Sequence, residues 1–259
     1  MRNKSVLFVA ISSILASIIC IVGLVVTLVD YFDTPTEPIK NEVVKTKPKE
    51  NADDRVQIVA LGDSLTRGTG DLEGKGYVGY LVSNLEERSK QKLALSNLGI
   101  KGLTSDQLAG QVKQEEIKRQ VELADIILIT IGGNDLFRGG EGLANMSPES
   151  LQPVEAAYEQ NLMTIFSELR AANKDAEIFF IGLYNPFIDL DNATETSKVV
   201  RTWNYKSAEI SANYPNTVFV PTFDLFQLKV NDYLFSDKFH PNTKGYQLIA
   251  ERVASLITL

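Results

Sequence analysis

From residue 56 to residue 257 short apolar runs alternate with longer amphipathic ones, and this rhythm narrows the fold more than any single residue does. Residues 56–61, 93–98, 125–131, 177–183 and 217–220 are short, near-continuous apolar runs that end in polar or glycine-rich turns, as buried strands do. Between them, residues 79–90, 105–123, 154–173, 195–213 and 243–257 read as helices. In the third of these, Val154, Tyr158, Leu162, Ile165 and Leu169 recur at spacings of three and four, which is one helix face. Apolar strands alternating with helices predict an α/β fold, a three-layer α/β/α sandwich with a parallel sheet of about five strands. No internal repeat interrupts the pattern. Ligands of such sheets bind beyond the carboxyl ends of the strands, so the chemistry is to be sought in the residues that follow each run.

The amino terminus stands outside that rhythm. Residues 5–29 contain no charge and no proline; as a helix this stretch reaches about 37 Å, enough to cross a ~30 Å hydrocarbon layer with some tilt. Arg2 and Lys4 precede it, while Asp30, Asp33 and Glu37 follow, so the positive-inside rule leaves the amino end in the cytoplasm and the rest outside. Leu28-Val29-Asp30-Tyr31-Phe32 offers no small-residue cleavage site, which favours an uncleaved signal anchor over a removed signal peptide. Cys20, the only cysteine, follows Ile19 where a lipidation site carries a small residue, so it reads as lipid-buried, and the exported part can form no disulfide. The expected organisation is a transmembrane helix over 1–30, a flexible, charged and proline-containing linker over 31–55, and a domain over 56–259 on the outer side of a membrane, in a bacterial cell.

Composition removes several function classes. A net charge of −7 without a basic stripe argues against nucleic acid as a partner. The chain has one histidine, His240, which excludes a multi-histidine metal centre or a histidine relay; no metal and no cofactor is expected. His240 follows Asp237 by three residues, close enough for the carboxylate to fold back onto the ring and fix its tautomer. Far upstream, Ser64 in Gly62-Asp63-Ser64-Leu65 ends the first strand with its hydroxyl directed to the rim. A serine hydroxyl needs a base to become a nucleophile, and His240 is the candidate. Taken singly, Ser64 reads equally well as a helix cap and His240 as a polar residue at the helix entry Pro241-Asn242-Thr243. Two further turns follow strands: Asn97-Leu98-Gly99-Ile100-Lys101-Gly102-Leu103-Thr104, where a glycine lets a backbone N–H approach an oxyanion, and Gly132-Gly133-Asn134-Asp135, where the Asn134 amide is an uncharged donor. Each alone is also an ordinary turn.

In that order, Gly-Asp-Ser-Leu, Gly, Gly-x-Asn-Asp and Asp-x-x-His-Pro resemble the SGNH hydrolases, the GDSL family of esterases and lipases, across residues 56–257. The run Gly-Asp-Ser-Leu-Thr-Arg-Gly-Thr-Gly resembles the bacterial membrane-anchored members most. The resemblance implies a flavodoxin-like sheet, Ser64 as nucleophile, His240 as base, Asp237 as its orienting acid, and an oxyanion hole from the Ser64 and Gly102 N–H groups and the Asn134 side chain. It also implies that Asp63 and Asp135 bond backbone amides in their own turns; Asp224, by its place after the last strand, is a weaker alternative to Asp237. Gly99 matches less well than Gly102, which lies two residues before Thr104.

The expected activity is therefore a serine esterase, cleaving lipid or other acyl esters through an acyl-enzyme. Deacetylation of cell-wall or surface polysaccharide is the alternative within enzymes, and ligand binding without turnover the alternative outside them. The only partners expected are an acyl-ester substrate and the membrane. Tyr184, Phe187 and Phe239 are candidates to line an acyl site, with plain core packing as the other reading, and residues 139–153 and 185–195 are the expected variable loops.

Overall fold

The computed structural model describes residues 55–137 and 146–259, together with Ser17, Ile21 and Val22. In chain order its elements are β1 (Val56–Gly62), α1 (Ser64–Arg67), α2 (Gly76–Ser89), β2 (Leu93–Asn97), α3 (Ser105–Gln111), α4 (Glu115–Leu123), β3 (Ile126–Thr130) and α5 (Gly133–Phe137). Then come α6 (Pro148–Ala172), β4 (Glu177–Ile181), α7 (Ala193–Ser211), β5 (Thr217–Val220), α8 (Phe223–Phe226), α9 (Val230–Tyr233) and α10 (Thr243–Ala254).

Successive strand residues leave the sheet on opposite faces, and in the central strands both sets are apolar. Val59 and Leu61 of β1, Ile127 and Ile129 of β3, and Ile178 and Phe180 of β4 enter one core, which α3, α4, α6 and α7 cover. Ile58 and Ala60, Ile126 and Leu128, and Phe179 and Ile181 enter the other, covered by α2 and α10. All strand pairs are parallel, in the order β2-β1-β3-β4-β5, which is the flavodoxin-like winding. The winding reverses between β1 and β3, so the loops after these two strands open a crevice at the carboxyl rim.

Several helices depart from the sequence reading. The expected helix 105–123 is two helices, because the spacing of five from Val112 to Ile117 breaks the three-and-four rhythm and Gln114 turns extended to restart the chain. Helix α6 begins at Pro148, not 154: Ser147 caps it, Pro148 occupies its first turn, and burial of Leu151 carries the helix through Pro153. That removes 148–153 from the expected loop 139–153; residues 138–145 lie outside the described residues. Helix α2 begins three residues early, at Gly76, and the one-turn helices α1, α5, α8 and α9 are too short to show a period. The expected span 5–29 and linker 31–55 lie outside the described residues except for Ser17, Ile21, Val22 and Arg55. Among the described residues no helix is long and apolar enough to cross a membrane.

Candidate active site

Gly62 ends β1 at φ +131°, where a Cβ would collide with the Thr130 carbonyl oxygen of β3. Only glycine lets the two central strands stay paired up to the rim, and the chain then turns sharply into α1. Asp63 caps that helix: its Oδ1 accepts from the Leu65 N–H at 3.0 Å and from the Thr130 hydroxyl at 2.8 Å. Because Asp63 is the cap, Ser64 is the first helical residue and its hydroxyl is free of that duty. The Ser64 Oγ lies 2.8 Å from His240 Nε2.

His240 is delivered by a tight turn before α10. Lys238 takes φ +57°, and Asp237 Oδ1 accepts the N–H groups of Phe239 and His240, both at 3.0 Å. The other carboxylate oxygen meets His240 Nδ1 at 2.7 Å. Asp237 thus shapes the turn and orients the ring with one side chain. Partial burial pushes its carboxyl upward, but the bonds from the His240 ring and the two N–H groups outweigh this and hold it below the usual carboxylate range. The helix cap here is Asn242, not His240, and the Tyr184 hydroxyl donates to the Phe239 carbonyl at 2.5 Å, fixing the turn from below.

Asn134 stands in the first turn of α5 and lines the same cleft as Ser64, its Nδ2 donating to the Leu103 carbonyl at 2.8 Å. Gly102, the residue before Leu103, is on the adjoining loop, exposed, at φ +79° with open space where a Cβ would stand. Its glycine is needed for backbone conformation, not for close approach. The close approach belongs to Gly99, whose added Cβ would crowd Thr66 and Arg67 of α1. The structure therefore gathers Ser64, Asp237, His240 and Asn134, with Gly102 beside the cleft and not among its lining residues.

The cleft is narrow, a cavity of about 20 Å³ between apolar walls of Leu65, Phe137, Leu183, Tyr184, Pro186 and Phe239. Of the three aromatics expected from the sequence, Tyr184 and Phe239 line it; Phe187 does not. Phe187 packs edge-on against Phe137 with ring centroids 5.1 Å apart and backs the wall from behind. Phe137 escaped the sequence reading, although its position three residues after Asn134 places it on the same helical face.

The remaining acids are accounted for by other contacts. Asp224 pairs with Arg252 at 2.7 Å. Asp135 bonds its own backbone amide and also reaches outside its turn: it accepts from the Ser105 N–H and, at 2.6 Å, from the Ser105 hydroxyl. Asp63 does bond a backbone amide in its turn, and reaches across to Thr130 as well. Burial pushes its carboxyl up to about 6 despite the Thr130 and Leu65 donors, and the nearby Asp135 charge adds to the rise.

Comparisons with known proteins agree with this arrangement of strands and loops. The profile of the GDSL-like lipase/acylhydrolase family matches residues 60–248. The Bacillus subtilis protein YpmR, itself uncharacterized, is 35% identical over 252 residues, covering 95% of each chain. The spore germination lipase LipC of Bacillus licheniformis is 27% identical over 204 residues, 76% of this chain and 94% of that one. Among solved structures, the lipase Lip_vut3 from a goat rumen metagenome superposes with a TM-score of 0.70 at 24% identity, over 77% of this chain and 96% of its own, a likeness of fold. The chain belongs to the GDSL-like lipase/acylhydrolase, or SGNH hydrolase, family and is a carboxylic ester hydrolase.

Proposed function

We propose that the chain cleaves acyl esters through a covalent acyl-serine, with Ser64 as nucleophile, His240 as base and Asp237 as the acid that orients it. The observation that carries this reading is the unbroken hydrogen-bonded chain Asp237–His240–Ser64, at 2.7 and 2.8 Å, opening into an apolar cleft. Ser64 Oγ attacks the ester carbonyl while His240 Nε2 takes its proton; the carbonyl oxygen becomes an oxyanion. Three donors receive that charge: the Ser64 N–H, which as the first helical amide has no carbonyl partner within α1, the Gly102 N–H, and the second amide hydrogen of Asn134, the first being engaged by Leu103. Collapse expels the alcohol, which leaves with the proton from His240. Water, deprotonated by the same ring, then releases the acid and restores Ser64.

The site acts outside the cytoplasmic membrane, held by the apolar segment 5–29. Support comes from the uncharged run and its basic amino-terminal flank, and from the YpmR match, which at 95% of this chain extends into that segment. Lipid esters are the substrate class this reading favours, given the apolar acyl wall and a relative that is a spore germination lipase. The test is a hydrolysis screen of the detergent-solubilised full chain against p-nitrophenyl esters, lysophospholipids and acetylated glycans. Hydrolysis of the first two supports the reading; activity confined to the glycans replaces the substrate class, and silence on all three rejects turnover.

A further inference from the structure

We infer that Asp135 is a positioning residue, which locks the two outer oxyanion donors into one rigid unit. The inference rests on the donor roles given above to Asn134 and Gly102. Consecutive side chains of α5 grip alternate residues of the loop that carries Gly102. Asn134 Nδ2 donates to the Leu103 carbonyl at 2.8 Å, and Asp135 receives the Ser105 N–H on both carboxylate oxygens, at 3.1 and 3.0 Å. The Ser105 hydroxyl adds a third bond to Asp135 at 2.6 Å, and the same oxygen accepts from Asn161 Nδ2 of α6 at 2.9 Å. The loop after β2 is thus fastened to α5 at two points and to α6 at a third. It cannot slide past Asn134 without breaking several bonds at once.

A carboxylate near a developing oxyanion is, by charge alone, the wrong group. It is tolerable here because its oxygens face the first turn of α3 and are covered by Ser105 donors, which direct the negative end away from the cleft. Asp135 is absent from the cleft lining, where Asn134 and Gly133 stand. Burial raises its carboxyl pKa even against the Ser105 bonds, in keeping with a group shielded from water. Charge-assisted bonds of this kind are shorter and stronger than those between neutral partners. They hold Gly102 and Asn134 at a fixed separation, and an oxyanion hole depends on such preorganisation.

A brace that only supports α3 would lower stability and leave turnover intact, so the test is kinetic. Full-length wild type, Asp135→Ala, Asp135→Asn and Ser105→Ala are compared on p-nitrophenyl acetate, with Asp135→Ala repeated in an Asn134→Ala background. We expect Asp135→Ala to lower kcat by about 10- to 10²-fold, the scale of a displacement of about 1 Å in a catalytic group, with KM within about twofold. Asp135→Asn, which keeps an acceptor for the Ser105 N–H, recovers part of the loss, and Ser105→Ala reproduces part of it. Without Asn134, the factor for Asp135→Ala shrinks at least about threefold, since the two act through one hole. The inference is overturned if kcat stays within about twofold of wild type in Asp135→Ala and Ser105→Ala, or if the Asp135→Ala factor is the same in both backgrounds. Should Asp135→Ala not fold, Asp135→Asn and Ser105→Ala decide by the same criteria, each repeated with Asn134→Ala. A wild type that hydrolyses no ester refutes the site assignment itself, whereas an active wild type with unaffected variants refutes only the brace.

Discussion

Two carboxylates close to Ser64 are shifted in opposite directions, and stability measurements can separate them. Asp237 is held below its ordinary value, so the stability it contributes is present above the unfolded pKa of ~3.9 and is lost as pH falls through the lower folded value. Asp63 is raised to about 6 by burial, so its contribution is complete below ~3.9 and disappears as pH rises through about 6. The buried Asp63 carboxylate therefore costs the fold on the order of 3 kcal/mol at neutral pH. Asp63→Asn keeps an oxygen for the Leu65 N–H and the Thr130 hydroxyl but cannot ionise. Urea titrations at pH 4 and pH 7.5 should show the variant gaining on wild type by about 2 kcal/mol between the two; a difference independent of pH would contradict the shift. If Asn134 donates to the oxyanion as proposed, Asn134→Ala should lower kcat about 10²- to 10³-fold; a change below about twofold would return Asn134 to the role of a turn residue.

At the level of elements, the two rim glycines should respond differently to the same methyl group. Gly62→Ala drives a Cβ into the Thr130 carbonyl and parts β1 from β3, so chemical denaturation should show a loss of about 3 kcal/mol or more. Gly102→Ala meets open space and carries only the strain of its positive φ, about 1 kcal/mol. Equal losses would mean that the two positions are not distinguished by packing. The strands were legible in the sequence because a both-sided core leaves near-continuous apolar runs. The long helices were legible by their faces, but their ends were not. Pro153 looked like a boundary, since nothing local reveals that Leu151 is buried, and the break after Val112 depends on which face of each short helix meets the sheet.

Across the whole molecule, four loops separated by up to 176 residues converge on one rim because parallel strands all end on the same side. The order of the motifs and the family resemblance they carry pointed to Ser64, Asp237, His240 and Asn134, and the structure brings these four together. Contacts across loops were not readable: Asp135 with Ser105, Tyr184 with the Phe239 carbonyl, and Phe137 in place of Phe187 at the cleft wall depend on tertiary packing. If segment 5–29 anchors the chain, full-length protein should sediment with membranes after a high-salt wash and be released by detergent, and protease added to intact spheroplasts should digest the domain. Release by salt alone would contradict the anchor. The central claim, that Ser64 is the nucleophile primed by His240, is tested most directly by treating the full chain with a fluorophosphonate and locating the adduct by peptide mass spectrometry. The expected result is modification at Ser64 alone, absent in Ser64→Ala and strongly slowed in His240→Ala; undiminished labelling of Ser64→Ala would contradict it.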